Sequence, residues 1–169
     1  MKKIVAVSGG FDPLTFGHTR MILEAGKLGE VIVIANSQEW LTRKKGFCFY
    51  PTWEERAEIL GAIRGVVAVE RVDDSDGTVC EALRRLRPAA FCNGGDRKID
   101  STPEVNLCNE LGIELIWNVG TGGKISSSSE LTSRATEAKN RIAGATPAVQ
   151  IIDGRTNYNN AAPFYEVAK

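Results

Sequence analysis

Ile4-Val5-Ala6-Val7 is an unbroken apolar run, rich in β-branched side chains and ended by Ser8-Gly9-Gly10. A strand with one wet face would alternate, so this run predicts a strand covered on both faces. From His18 the apolar positions Met21, Ile22, Ala25 and Leu28 recur at three- and four-residue spacing, with Gly29 where a helix would close. That spacing predicts a helix. The two patterns then alternate. Val31–Ala35 reads as a second strand, and Tyr50–Ala62, with Pro51 near its start and Ile59, Leu60 and Ile63 on one side, as a helix. Ala68–Val72, Ala89–Cys92 and Glu114–Trp117 complete the strands; Thr78–Leu86, ending before Pro88, and Thr102–Leu111, closed by Gly112, read as helices. Each parallel pair needs a crossover, and the crossover is right-handed. The expectation is one doubly wound, Rossmann-like α/β domain with a five-stranded parallel sheet and helices on both faces. Ligands of such sheets lie beyond the carboxyl ends of the strands where the strand order reverses, here between the first and fourth strands, so the loops after those two should carry the chemistry.

The pattern lapses after Asn140, which sets the domain at residues 1–140 and leaves 141–169 as a tail. The tail holds Gly144-Ala145-Thr146-Pro147, a Val149–Ile152 run, Asp153-Gly154 and the aromatics Tyr158, Phe164 and Tyr165. An edge strand with an arm, a dimer contact and a mobile end all fit it.

Length and composition narrow the function. The 169 residues, 43% hydrophobic and 25% charged, suit a single domain with a real core and exclude whole-chain disorder. Lys plus Arg is 21 and Asp plus Glu is 21, a net charge of zero, which argues against a nucleic-acid coat or a membrane-surface binder. Any bound anion must be met locally. Cys48, Cys80, Cys92 and Cys108 form no C-x-x-C pair and read as reduced thiols of a cytoplasmic protein. Met1-Lys2-Lys3 carries the charge of a signal peptide, but the apolar run after it is too short for one or for a membrane span.

The loop after the first strand reads Ser8-Gly9-Gly10-Phe11-Asp12-Pro13-Leu14-Thr15-Phe16-Gly17-His18, and the loop after the fourth reads Asn93-Gly94-Gly95-Asp96-Arg97. Glycines let main chain approach a ligand and present amide N–H groups, and a histidine at a helix start adds a donor where the dipole already favours anions. Gly-Gly pairs are also ordinary turn formers, and a histidine near a helix start is often only a cap. The joint placement at the two expected loops, with the chain's only His in the first, favours a phosphate site. A third segment, Gly120 to Leu131, opens a last helix through Ser133 and Ala138; Ser126, Ser127, Ser128 and Ser129 offer hydroxyls and amides at its start, and Ser127 to Glu130 has capping-box spacing. The segment is not a Walker A loop, because Ile125 follows Lys124 and Asn118 stands where the first glycine would be. No G-x-G-x-x-G follows the first strand, so the dinucleotide signature is missing too. Arg43, Lys44 and Lys45, punctuated by Gly46, place three cations beyond the second strand, either as a solvated face or as a mobile loop that closes over a phosphate; Arg56 follows on the next helix. Arg84, Arg85 and Arg87 fit helix-dipole complementarity and solvation.

Gly10 to His18 resembles the G-x-F-D-x-x-H-x-G-H signature of the cytidylyltransferase-like nucleotidyltransferases, and the serine run resembles their second signature, R-T-x-G-x-S-T-T or I-S-S-S. The likeness covers roughly residues 1–140 in the right order. Asn36-Ser37, Lys44-Lys45-Gly46, Glu55-Arg56 and Asn93 to Asp96 look most like the heptose 1-phosphate adenylyltransferases and glycerol 3-phosphate cytidylyltransferases. The resemblance implies that a phosphorylated small metabolite, a sugar or polyol phosphate, attacks the α-phosphate of ATP or CTP with Mg²⁺ and releases pyrophosphate. A homodimer is expected, and the neutral charge argues for no nucleic acid or membrane partner. The resemblance also implies His18 and Thr15 at the phosphates around the α-phosphorus, Lys44 or Lys45 and Arg56 at the acceptor phosphate and developing charge, and Lys124 with Ser126 to Ser128 at the β- and γ-phosphates. Gly9, Gly10, Phe11, Asp12 and Gly17 join the nucleotide site, with Gly94, Gly95, Asp96 and Arg97 bordering the nucleoside. No protein metal ligand is expected; Asp12 is open between metal contact and turn residue. Thr15 stands where the family's first histidine would be, giving T-x-G-H as in phosphopantetheine adenylyltransferases, and Thr121 stands at the arginine position, so adenine is expected over cytosine. The alternative is a catalytically weak nucleotide sensor or assembly module of the same fold.

Overall fold

The computed structural model of the chain describes residues 3–94, 102–120, 128–144, 151–152 and 155–156. By internal contacts the chain divides into Met1–Leu131 and Thr132–Lys169. The first unit holds β1 (Ile4–Gly9), α1 (Phe16–Ala25), β2 (Glu30–Ala35), α2 (Gln38–Lys45), α3 (Trp53–Gly61), β3 (Val66–Arg71), α4 (Cys80–Leu86), β4 (Ala90–Gly94), α5 (Pro103–Leu111) and β5 (Glu114–Val119), and the first turn of α6 (Ser128–Gly144). In the second unit α6 continues, and β6 (Ile151–Ile152) pairs antiparallel with β7 (Arg155–Thr156).

The five strands run parallel in the order β3-β2-β1-β4-β5, so the order reverses between β1 and β4 as expected. Alternation along each strand assigns its faces. Val5 and Val7 of β1 join Met21, Ile22 and Ala25 of α1 and Leu60 of α3 in one apolar cluster. Ala6 joins Phe91, Leu83 of α4 and Leu107 and Cys108 of α5 in the other. The sheet is therefore covered by α1 on one face and by α5 on the other. Burial of the thiols raises Cys92 and Cys108 to about 11, and all four cysteines are unpaired.

One element differs in kind from the sequence expectation. Arg43, Lys44 and Lys45 sit on helix α2, not on a mobile loop. Ser37 caps it by accepting from the Trp40 amide, Gly46 closes it in the left-handed region at φ 80°, and the three cations complement the negative end of the dipole. The helix after it starts at Trp53 instead of Tyr50, because Thr52 is its N-cap.

Candidate active site

Thr15 is the N-cap of α1 and His18 its third residue, and together they form a capping box. The Thr15 hydroxyl accepts from the His18 amide at 3.3 Å, and the Thr15 amide donates to His18 Nδ1 at 3.1 Å. An accepting Nδ1 leaves the ring hydrogen on Nε2, so the imidazole offers an N–H donor on its outer side. Burial, and then the positive charge of Lys45, lowers the His18 pKa to about 4. His18 is thus neutral at pH 7. Phe11 braces it edge-on, with ring centroids 5.1 Å apart. Phe11 is itself buried, at the left-handed φ of 49°, so it turns the chain out of β1 and supports the imidazole from the core. Thr15 is 4% exposed. A family histidine replaced by this threonine therefore retains a defined task, which is to fix the tautomer of the histidine that follows.

Helix α6 brings a second N-terminus to the same loop. Ser128, in its first turn, donates to the Pro13 carbonyl at 2.8 Å. The positive ends of α1 and α6 thus flank residues 12–15, an arrangement that attracts phosphate.

Asp12 is 1% exposed, and its carboxylate accepts from the Phe49 amide at 2.8 Å and the Tyr50 amide at 2.9 Å. These contacts tie the segment after α2 to the loop after β1 and assign Asp12 to the turn. No group of three or more metal-binding side chains occurs among the described residues. With Asp12 engaged, these residues do not fit a protein-held Mg²⁺.

The cations separate. Lys45 donates to the Asp12 carbonyl and acts electrostatically on His18, and burial lowers its own pKa. Lys44 instead lies over the Trp40 ring, 4.2 Å from its centroid, and Arg43 donates to the Asp74 carbonyl at 2.9 Å. Arg56, expected at a substrate phosphate, is 1% exposed. Its guanidinium donates to the Gly10 carbonyl at 2.6 Å, the Asn36 carbonyl at 2.6 Å and Gln38 Oε1 at 3.0 Å. It binds the ends of β1 and β2 to the start of α2 through Nη1 and Nη2, while its Nε has no partner among the described residues; burial lowers its pKa.

The glycines serve packing. A Cβ on Gly10 would lie 2.7 Å from Leu41 of α2, and one on Gly94 would lie 2.6 Å from the Met21 sulfur of α1. Gly9 ends β1 against the Phe11 ring, and Gly17 is the second residue of α1. Gly95, Asp96, Arg97, Thr121, Lys124, Ser126 and Ser127 lie outside the described residues.

Two supporting residues escaped the sequence reading. Asp74, 3% exposed, accepts from Asn36 Nδ2 at 3.0 Å, the Ser37 amide at 2.8 Å and the Ser37 hydroxyl at 2.6 Å. Gln38 Nε2 donates to the Tyr50 carbonyl at 2.9 Å while its oxygen accepts from Arg56. Ser37 and Gly46 bracket a helix with cap chemistry that sequence can show; the long-range partners of Asp74 have no such local signal.

A doubly wound parallel sheet with two helix N-termini at the loop after its first strand defines a Rossmann-like α/β domain whose first loop is suited to an anion. The family model described as cytidylyltransferase-like matches residues 6–129. The chain belongs to that cytidylyltransferase-like family. It is 32% identical over 116 residues to the bifunctional protein HldE of Sulfurimonas denitrificans, covering 65% of this chain and 23% of that protein. It is 36% identical over 113 residues to the FAD synthase of Pyrococcus horikoshii, covering 66% of this chain and 75% of that protein. The chain spans about a quarter of the length of the HldE proteins it matches. Its fold matches the lipopolysaccharide core biosynthesis protein of Thermoplasma volcanium with a TM-score of 0.59 at 20% identity, covering 72% of this chain and all of that one. No helix among the described residues is long and apolar enough to cross a membrane.

Proposed function

We propose that this chain transfers AMP, in preference to CMP, from the nucleoside triphosphate to a small phosphorylated metabolite, with release of pyrophosphate. The observation that carries the reading is the neutral His18, held by the Thr15 cap in the first turn of α1 with its Nε2 hydrogen free of that cap, beside a loop that the first turn of α6 contacts through Ser128. An acceptor phosphate oxygen forms a bond to the α-phosphorus as the bond from that phosphorus to the bridging oxygen breaks, and pyrophosphate leaves with the electron pair. Charge develops on the equatorial and leaving oxygens, and the protein's work is positioning and charge stabilisation. His18 donates to these oxygens, the two helix ends hold the departing phosphates, Ser128 anchors the start of α6 to the Pro13 carbonyl, and Lys45 supplies positive charge beside His18. In this reading Mg²⁺ arrives on the triphosphate as part of the substrate.

The reading of the chain as a nucleotide sensor drew on the missing first histidine; the capping role of Thr15 favours catalysis over it. Pyrophosphate release with ATP or CTP, measured against glycerol 3-phosphate, sugar 1-phosphates and flavin mononucleotide, tests the proposal. Turnover with one acceptor and ATP ahead of CTP is the expected result. Nucleotide binding without pyrophosphate release across the panel would establish the sensor instead.

A further inference from the structure

Asp74 lies between β3 and α4, in a segment whose ends, Val72 and Val79, are buried in the apolar cluster that holds Ala6, Leu83 and Leu107. Its carbonyl accepts from the Gly77 amide at 2.9 Å and closes a four-residue turn, with Gly77 at the left-handed φ of 84°. The turn is a fixed post, and from it Asp74 holds both ends of α2. At the start of the helix its buried carboxylate accepts from the Asn36 side chain and from the amide and hydroxyl of Ser37, the N-cap. The Ser37 hydroxyl gives its hydrogen to Asp74 and keeps its lone pairs for the Trp40 amide, the cap bond that starts the helix. In the last turn Arg43 runs its side chain back along the helix and donates to the Asp74 carbonyl at 2.9 Å.

These contacts decide where α2 stands, because packing does little to place it. Leu41 is the one buried residue of the helix, and so narrow an apolar face does not fix both its rotation and its position along the axis. The cap sets the position, and the Arg43 contact sets the rotation. Gln38 also ties the first turn to Arg56, so loss of Asp74 shifts the helix without detaching it. Lys45 is the last residue of α2, and its ammonium donates to the Asp12 carbonyl in the loop that leads to Thr15 and His18. That ammonium faces the Asp12 carboxylate, the Arg56 guanidinium and Cys48, and its charge acts on His18. A shift of α2 at Asp74 therefore moves a positive charge at the candidate reaction centre.

We propose that Asp74 is a positioning residue for the transfer reaction: it acts through α2 and sets where the Lys45 ammonium stands beside His18. The proposal rests on the nucleotidyl-transfer reading for its catalytic consequence, and on the geometry of α2 alone for the placement of Lys45. Asp74 contacts α2 and not the loop that carries His18, so its effect must pass through Lys45. A misplacement on the order of 1 Å at a reacting centre costs up to about a hundredfold in rate.

Asp74→Ala, Asp74→Asn and Arg43→Ala are compared in wild type and in a Lys45→Met background. Asp74→Ala removes all three carboxylate contacts. Asp74→Asn keeps an oxygen for the Asn36 and Ser37 N–H groups and turns its amide to the Ser37 hydroxyl oxygen, which has a lone pair to accept it, so it should rescue. The first readout is the His18 titration in the ligand-free protein, followed by nitrogen chemical shifts. Asp74→Ala should move it upward by at least half the shift that Lys45→Met produces, Arg43→Ala should move it the same way, and Asp74→Asn should leave it near wild type. The second readout is kcat for pyrophosphate release, which should fall about tenfold in Asp74→Ala with the ATP KM within about threefold. In the Lys45→Met background Asp74→Ala should change neither readout further, since residues that act through one another are not additive. An Asp74→Ala protein that melts lower yet keeps the wild-type His18 titration would make Asp74 merely structural and overturn the proposal, and so would equal effects in both backgrounds. If Asp74→Ala does not fold, Arg43→Ala decides by the same criteria, because the Arg43 side chain is exposed. If no acceptor supports pyrophosphate release while the titration moves with Asp74→Ala only when Lys45 is present, the transfer reading fails and the placement of Lys45 by Asp74 stands.

Discussion

Replacing Arg56 by alanine distinguishes a structural clamp from a substrate contact. The guanidinium is buried and satisfies two main-chain carbonyls and one side-chain oxygen at the junction of β1, β2 and α2. Its removal strands those three acceptors. Each buried acceptor left unpaired costs about 1–3 kcal/mol, and breaking a buried charged network by deleting one partner costs about 3–5 kcal/mol in measured systems. Relaxation and water entry reduce a simple sum, so about 3–5 kcal/mol is the expected loss. This is a large share of a domain stability of about 5–15 kcal/mol. Arg56→Lys should recover only part of it, because one ammonium cannot span the carbonyls of Gly10 and Asn36 and the amide oxygen of Gln38 in the fork geometry of Arg. Urea unfolding followed by circular dichroism, with the midpoint and slope fitted separately, measures the loss. An Arg56→Ala protein that unfolds within about 1 kcal/mol of wild type but turns over a hundredfold more slowly would refute the clamp and return Arg56 to the substrate.

Three further outcomes follow from the same geometry. Nitrogen chemical shifts of His18 should show the Nε2–H tautomer with titration near 4, and Lys45→Met should move that titration up toward the ordinary value of 6.5, since the lysine charge is one cause of the lowering. Because the folded pKa is depressed and the group is a cation when protonated, the unfolded chain binds the proton first as pH falls. Stability should therefore decline between about 6.5 and 4, by an amount that His18→Gln removes. Thr15→Ala should cost about 1 kcal/mol through loss of the cap and blur the His18 tautomer, whereas Thr15→Ser should preserve both in the same spectra. Lys45→Ala should lower kcat in the pyrophosphate assay, while Lys44→Ala, whose ammonium lies on Trp40, should stay within about twofold of wild type; equal losses would mean the two lysines act together.

The alternation of buried strands and helices was legible because parallel strands covered on both faces leave continuous apolar runs such as Ile4–Val7 and Val31–Ala35. The strand reversal between β1 and β4, and with it the loop that carries His18, followed from topology alone. Helix α2 was not legible from periodicity, since among its eight residues only Leu41 is buried, and its evidence lies in the caps Ser37 and Gly46. The role of Arg56 was hidden for a different reason. A cation beside a phosphate loop reads as a ligand contact until the carbonyls that surround it are known, and Gly10, Asn36 and Gln38 are brought to it only by the fold. Gly10 and Gly94 carry a packing constraint that sequence does not show, because a Cβ at either would run into Leu41 or Met21, side chains that only the fold brings there. Thr15 shows the opposite case, where a departure from a family pattern turns out to be a helix cap with an imidazole as its reciprocal partner.

The most direct test of the account is single-turnover pyrophosphate release by wild type and His18→Ala, with ATP, Mg²⁺ and the best acceptor of the panel. Thermal unfolding is followed in parallel, to separate chemistry from folding. Removing one preorganised donor at a developing charge costs about 10²–10³ in rate. The expected result is a loss of at least a hundredfold with ATP affinity changed by less than about tenfold and the α1 fold retained. A His18→Ala protein that melts like wild type and releases pyrophosphate within threefold of its rate would contradict the claim that the capped imidazole of His18 stabilises the reacting phosphate.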